Sequence, residues 1–200
     1  TKEFCPSFDM DYALSLCQKF ALNPNKKIKS LSTGYNSISK VITTLSSNAE
    51  ILIFDEPVLG MDANHRELFY KELISSYIEK PKTIIISTHI IEEMADILED
   101  VIILKDGKVA AYKSVEELLS MAYTVSGPFD GVEKYIEGKT CIYLDQMASY
   151  KSAAIVGELN EDLRHMAESL NLEISRVELQ KLFIYLTNRE GEEYEGAENK

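Results

Sequence analysis

The run Ile51-Leu52-Ile53-Phe54-Asp55-Glu56 sets two adjacent carboxylates directly after four apolar residues. Four consecutive apolar residues after a polar turn predict a strand covered on both faces, as in a parallel sheet. Such a strand delivers its last residues to the carboxyl edge of the sheet, where α/β proteins bind ligands. Adjacent carboxylates there are costly unless a cation or a proton offsets them. Mg²⁺ answers this well, being a hard cation held by one or two carboxylates plus substrate phosphates. Asp55 is then the candidate metal ligand. Glu56 is the candidate to orient or deprotonate a water, because neighbouring strand-end residues point different ways. Taken alone, the pair fits a solvated turn equally well.

The elements that position this pair are legible on either side of it. Asp9 can cap a helix whose Ala13, Leu16, Cys17 and Phe20 share one face, stopped by Asn23-Pro24. After a basic link and Leu31-Ser32-Thr33-Gly34, a second helix carries Ile38, Val41, Ile42 and Leu45 on one side. A helix over 63–79, with Phe69, Tyr70, Leu73, Ile74, Tyr77 and Ile78 inward, precedes a second buried-type strand at Thr83–Ser87. Strand, helix and strand at this spacing predict a right-handed βαβ unit. His89 falls just past its second strand. A short helix with Ile91, Met94, Ala95 and Leu98 follows, then a hairpin turning at Asp106-Gly107. Ser114 with Glu117 reads as a capping box.

Beyond residue 120 the pattern restarts. Strands near 121–126, 140–144, 153–156 and 172–174 alternate with helices led by Val132 and by Leu163, Met166 and Ala167. The order βαββαβ predicts a small ferredoxin-like sandwich. A second capping box, Ser175 with Glu178, is expected to open a last helix carrying Leu179, Leu182, Phe183 and Leu186. From Arg189 the chain is rich in Glu and Gly, which predicts a disordered tail.

The 200 residues carry 33 Asp and Glu against 21 Lys and Arg, a net charge of −12. That balance argues against a broad phosphate-backbone footprint and so against nucleic acid as a partner. No stretch approaches the roughly 18 apolar residues that cross a bilayer. Three widely spaced cysteines, Cys5, Cys17 and Cys141, exclude a disulfide framework and a zinc site, and read as reduced packing residues of a cytosolic protein. His65 and His165 read as exposed helix histidines.

In chain order the sequence gives Leu31-Ser32-Thr33-Gly34, then Ile51–Glu56, Gly60-Met61-Asp62 and Ser87-Thr88-His89. This resembles the nucleotide-binding domain of ATP-binding cassette (ABC) ATPases: signature motif, Walker B strand, D-loop and H-loop, at the family's spacing. The resemblance covers residues 10–120. It implies a partial P-loop NTPase domain, α/β with a parallel sheet and a helical subdomain, over 1–120. An α+β accessory domain over 121–188 and an acidic tail over 189–200 follow. Residue by residue, it implies that Ser32 and the backbone N–H of Gly34 meet the γ-phosphate of ATP held by an opposite subunit, with Thr33 in the same nucleotide-binding set. Asp55 positions Mg²⁺, Glu56 is the general base and Asp62 acts across the dimer interface. His89 contacts the γ-phosphate and holds the water. Phosphoryl transfer asks mainly for positioning and charge neutralisation, which these groups supply.

The signature departs from the family pattern, with Thr33 in place of a glycine and Tyr35 in place of a glutamine. No GxxxxGK[ST] loop occurs in the sequence. With Thr1 in place of an initiating methionine, the chain is expected to be the C-terminal part of a longer ATPase, inactive alone. The segment after Met121, with Ser126-Gly127-Pro128 and Val177-Glu178-Leu179, resembles the C-terminal extension of ABC-2 type exporter cassettes. The implied partners are a transmembrane permease, a second nucleotide-binding subunit and ATP. The implied place is the inner face of the cell membrane, reached through the permease. The alternative is the C-terminal lobe of a DNA-repair or chromosome-structuring ATPase head, which the absence of a heptad run before Leu31 and the acidic charge disfavour. A regulatory module with a decayed site is disfavoured by intact Asp55, Glu56, Asp62 and His89.

Overall fold

A computed structural model describes residues 5–187. The described residues divide into two compact units, 5–89 and 90–187.

In the first unit, the Asp9 carboxylate accepts the Tyr12 N–H at 2.9 Å and starts α1 (Met10–Lys19). Leu16 and Phe20 are fully buried. A short 3₁₀ turn at Ile28–Ser30 leads to α2 (Thr33–Leu45), which buries Ile38, Val41, Ile42 and Leu45 as its spacing predicts. Helix α2 packs on α1, on β1 (Ile51–Asp55) and on α3 (Ala63–Glu79). Strand β1 pairs in parallel with β2 (Thr83–Ser87), from Ile51 opposite Thr83 to Asp55 opposite Ser87.

Two expectations for this unit are corrected. The strands are not covered on both faces. Leu52 and Phe54 are buried, and Phe54 meets Phe69 of α3 edge-on at 5.6 Å. Ile51, Ile53 and Ile85, on the opposite face, are 59%, 67% and 51% exposed. An apolar run signals burial, but the described residues supply cover on one side of this two-stranded sheet. Helix α3 also buries a different line of residues: Phe69, Glu72, Leu73 and Ser76 face inward, while Ile74, Tyr77 and Ile78 are exposed. Glu72 is tolerated inside because the Lys19 ammonium of α1 lies 2.5 Å from its carboxylate.

The second unit opens with turns over 92–97 in place of the expected helix. Met94 N–H donates to Ile91 O and Ile97 N–H to Met94 O, both reaching back three residues, and the chain must enter β3 at Asp100. Strands β3 (Asp100–Lys105) and β4 (Lys108–Ser114) form the expected hairpin. Asp106 and Gly107, at φ 50° and 72°, supply the left-handed pair its turn requires. Helix α4 (Val115–Ser120) has the predicted capping box, with Ser114 Oγ accepting the Glu117 N–H and the Glu117 carboxylate accepting the Ser114 N–H, each at 3.1 Å.

The remaining elements are β5 (Ala122–Pro128), α5 (Phe129–Ile136), β6 (Cys141–Met147), β7 (Tyr150–Val156), α6 (Glu161–Ser169), β8 (Glu173–Arg176) and α7 (Leu179–Thr187). The sheet runs β6-β7-β5-β8, antiparallel throughout, with the β-α-β-β-α-β element order. On one face Tyr123, Val125, Ala153 and Ile155 pack with Val132 and Tyr135 of α5 and Ala167 of α6. On the other, Ala122, Ile142 and Ala154 pack with Val115 and Leu118 of α4 and Leu179 and Leu182 of α7. This second layer explains why the unit begins at residue 90, where the pattern alone divides the chain at 120. Helix α4, and the hairpin that α7 touches, belong to the same core as the sheet. The capping box expected at Ser175 is absent, because Ser175 lies within β8 opposite Thr124. The expected tail over 189–200 lies outside the described residues.

Candidate active site

Strands β1 and β2 end in register, and their last residues meet. The Ser87 hydroxyl donates to the Asp55 carboxylate. The Glu56 N–H continues the ladder, donating to Ser87 O at 3.0 Å. Glu56 then turns into the left-handed region at φ 44°, a conformation that costs a non-glycine residue energy. Its Oε1 lies 2.8 Å from Nδ1 of His89, two residues past the end of β2. The structure therefore brings Asp55, Glu56 and His89 to one sheet edge, as the sequence predicts.

The two oxygens of Glu56 have different surroundings. Oε1 is held by the imidazole, whereas Oε2 is buried and accepts no hydrogen bond among the described residues. A buried carboxylate oxygen without a partner is costly, and a water or a substrate proton would satisfy it. With Nδ1 donating to Glu56, a neutral His89 keeps Nε2 as an acceptor; a protonated His89 donates from both nitrogens. His89 is 68% exposed and Glu56 33%, so the pair is open to a ligand.

Among the described residues, no group of three or more His, Cys, Asp or Glu is arranged to hold a metal. Mg²⁺ takes one or two protein oxygens and completes its octahedron with phosphate and water. Asp55, whose carboxylate is held by the Ser87 hydroxyl, is a donor of the right kind.

Ser32 immediately precedes α2, and Thr33 and Gly34 open it. Ser32 caps the helix, its Oγ accepting the Tyr35 N–H at 3.3 Å. The hydroxyl proton remains able to donate, and the first N–H groups of a helix favour an anion. Gly34 lies directly on the backbone of Gly60: a Cβ at position 34 falls 2.3 Å from Gly60 O. A Cβ at Gly60, which sits at φ 76°, would fall 3.1 Å from Gly34 N and 3.2 Å from Thr33 Cγ2. The Ser37 hydroxyl adds a hydrogen bond to Leu59 O at 2.8 Å. The start of α2 and the loop after Glu56 are thus one packed piece.

Asp62 closes that loop. It caps α3 through the His65 N–H at 2.9 Å, and its Oδ2 lies 2.8 Å from His65 Nδ1. The His65 backbone N–H, then its ring, hold the Asp62 carboxyl below the usual carboxylate range. His65 is therefore more than an exposed helix histidine. Its ring stacks on Phe20 at 6.2 Å and meets Tyr35 edge-on at 5.9 Å, joining α1, α2 and α3. The readable signal was a capping Asp followed three residues later by His. Ser87, the orienting partner of Asp55, was also missed as a site residue.

No protein-family model matches the chain. An uncharacterised ABC transporter ATP-binding protein of Methanocaldococcus jannaschii is 38% identical over 98 residues, covering 48% of this chain and 37% of that protein. The ABC transporter ATP-binding protein YtrB of Bacillus subtilis is 24% identical over 151 residues, 75% of this chain and 52% of that protein. The chain's curated homologues are ABC transporter ATP-binding proteins. The chain spans 37% and 52% of the lengths of these two ABC relatives. Among solved structures, the ATP-binding subunit of an ABC transporter matches with a TM-score of 0.50 at 20% identity, over 54% of this chain and 45% of that one. That likeness is one of fold, and it gives the α/β architecture of an ABC ATPase domain.

Proposed function

We propose that this chain supplies the hydrolytic edge of an ATP-hydrolysing ABC subunit, coupled to transport across a membrane. The observation that carries the reading is the Glu56 carboxylate, its Oε1 fixed by His89, at the same strand ends as the Asp55–Ser87 pair. The Glu56 carboxylate accepts a proton from, or orients, the attacking water. His89 holds Glu56 in place and offers a donor or acceptor to the transferred phosphoryl oxygens. Asp55, oriented by Ser87, takes the Mg²⁺ position. When bound, that ion neutralises charge on the phosphates. Ser32 and the N–H groups opening α2 meet the γ-phosphate of a nucleotide held by a second subunit, and Asp62 lies toward the same partner. The permease, the second nucleotide-binding subunit and a location on the inner membrane face follow from this reading. No helix among the described residues is long and apolar enough to cross a membrane.

The sequence holds no GxxxxGK[ST], so nothing in it replaces that loop's N–H cradle and lysine. The 200-residue chain alone is therefore expected to bind Mg-ATP weakly and not to turn it over. Assayed within an assembly that supplies the phosphate loop, Glu56→Gln should lower turnover by about 10²–10⁴ while ATP binding persists. Near-normal hydrolysis by that variant removes Glu56 from the catalytic role.

A further inference from the structure

The second unit holds a cleft of about 270 Å³ that has no part in the edge formed by Asp55, Glu56 and His89. It lies where the end of β8, helix α6 and the connection after β7 come together. Ala122, Tyr123, Leu159 and Ile174 give it apolar walls, and Arg164 and Arg176 line the same space. Two features set this concavity apart.

The first is charge. The chain has four arginines and a net charge of −12, and two of those arginines line this one cleft. None of its lining residues is Asp or Glu, although such residues number 33 in the chain. Neither guanidinium forms an ion pair among the described residues. Two like charges in one concavity repel, and a shared anion converts that repulsion into attraction.

The second is geometry. Arg176 is the last residue of β8, in register with the buried Tyr123 of β5, so its backbone is fixed by the sheet. Arg164 lies in α6, whose capping Asn160 accepts the Leu163 N–H at 2.9 Å. Both arginines stand on regular elements, which a site needs if it is to hold a carboxylate or phosphate through paired N–H donors. The volume sits just below the range of drug-sized pockets, which suits a small ligand.

We infer that this cleft binds a small organic oxyanion, a carboxylate or phosphate head on a short apolar body. Arg164 and Arg176 hold the head, and Tyr123, Leu159 and Ile174 take the body. The site is independent of ATP hydrolysis and does not rest on the function proposed above.

The test is titration of the purified full chain with octanoate, octyl phosphate and inorganic phosphate, read by calorimetry and by amide chemical shifts. At least one alkyl oxyanion should bind and shift amides around Tyr123, Gly157 and Ile174; the tighter of the two identifies the head group. Arg164→Gln and Arg176→Gln should each weaken that binding about tenfold, the loss expected for a charge-assisted hydrogen bond. The double variant should show no binding, while its unfolding midpoint stays that of the parent, because both side chains are exposed. Three results overturn the inference. They are inorganic phosphate binding as tightly as the alkyl ligands, the double variant binding as the parent does, and no ligand binding at millimolar concentration.

Discussion

Glu56 shows how far a single residue can be set against its backbone. Only glycine takes φ 44° without cost, yet a carboxylate occupies that position and reaches His89. Glu56→Gly should raise the denaturation midpoint of the first unit by an amount on the order of 1 kcal/mol in stability, as the left-handed strain is relieved. A lower midpoint would show that the His89 contact stabilises more than the strain costs. Tyr12 gives a second test at this scale. Burial first, then the charges of Glu72, Glu79 and Asp9, push its hydroxyl from 10.0 up to about 12. The folded state therefore holds this proton more tightly than the unfolded chain does. The stability it contributes is complete below pH 10.0 and is lost as pH rises toward about 12. Tyr12→Phe should flatten the alkaline limb of an unfolding curve measured by circular dichroism, and an unchanged limb would place the loss elsewhere. The positions of Asp55, Glu56 and His89 were legible because each lies at or just past a strand end that a run of apolar residues announces. His65 was not, because its partners Phe20 and Tyr35 come from other helices.

Helix starts were the most readable elements. Asp9 and Ser114 cap the helices read from them, since a capping bond closes within three residues and needs no tertiary partner, whereas the box expected at Ser175 falls inside β8. Inner faces were less readable. On α3 the apolar residues Ile74, Tyr77 and Ile78 point outward while Glu72 is buried against Lys19 of α1, an arrangement fixed by a residue 53 positions away. The 91–98 segment has helical spacing but lacks the length to complete a ladder before β3. The contact between Gly34 and Gly60 is the sharpest constraint at this scale. Gly34→Ala puts a methyl group against Gly60 O, and backbone cannot rotate aside as a side chain does. We expect a loss of about 1–3 kcal/mol, in the range of overpacking substitutions. Crystallography or amide shifts should show the loop over 57–61 displaced. A variant as stable as the parent, with an unmoved loop, would mean that the start of α2 shifts freely.

For the molecule as a whole, two kinds of sheet lie in one chain. The β1–β2 pair is parallel and has one covered face, while the β6-β7-β5-β8 sheet is antiparallel and has cover on both. The element order of the second sheet was legible. Its boundary was not, because the membership of α4 and the hairpin in that core depends on α7, some 60 residues further along the chain. The strand order also carries a kinetic consequence. Strands β6 and β7 are neighbours in sequence and can pair as soon as their turn forms. Strand β8 must cross back to β5, pairing Glu173 with Ser126 and Arg176 with Tyr123. Closing that long loop is entropically late, so β8 should dock after the folding barrier has been crossed. Ile174→Ala, which trims a side chain packed against the α5–α6 side of the sheet, should cost about 1–2 kcal/mol. Nearly all of that should appear as faster unfolding in stopped-flow chevrons, with the refolding arm little changed. A slower refolding arm would instead place β8 in the nucleus, and the edge strand would then be among the first parts of the sheet to form.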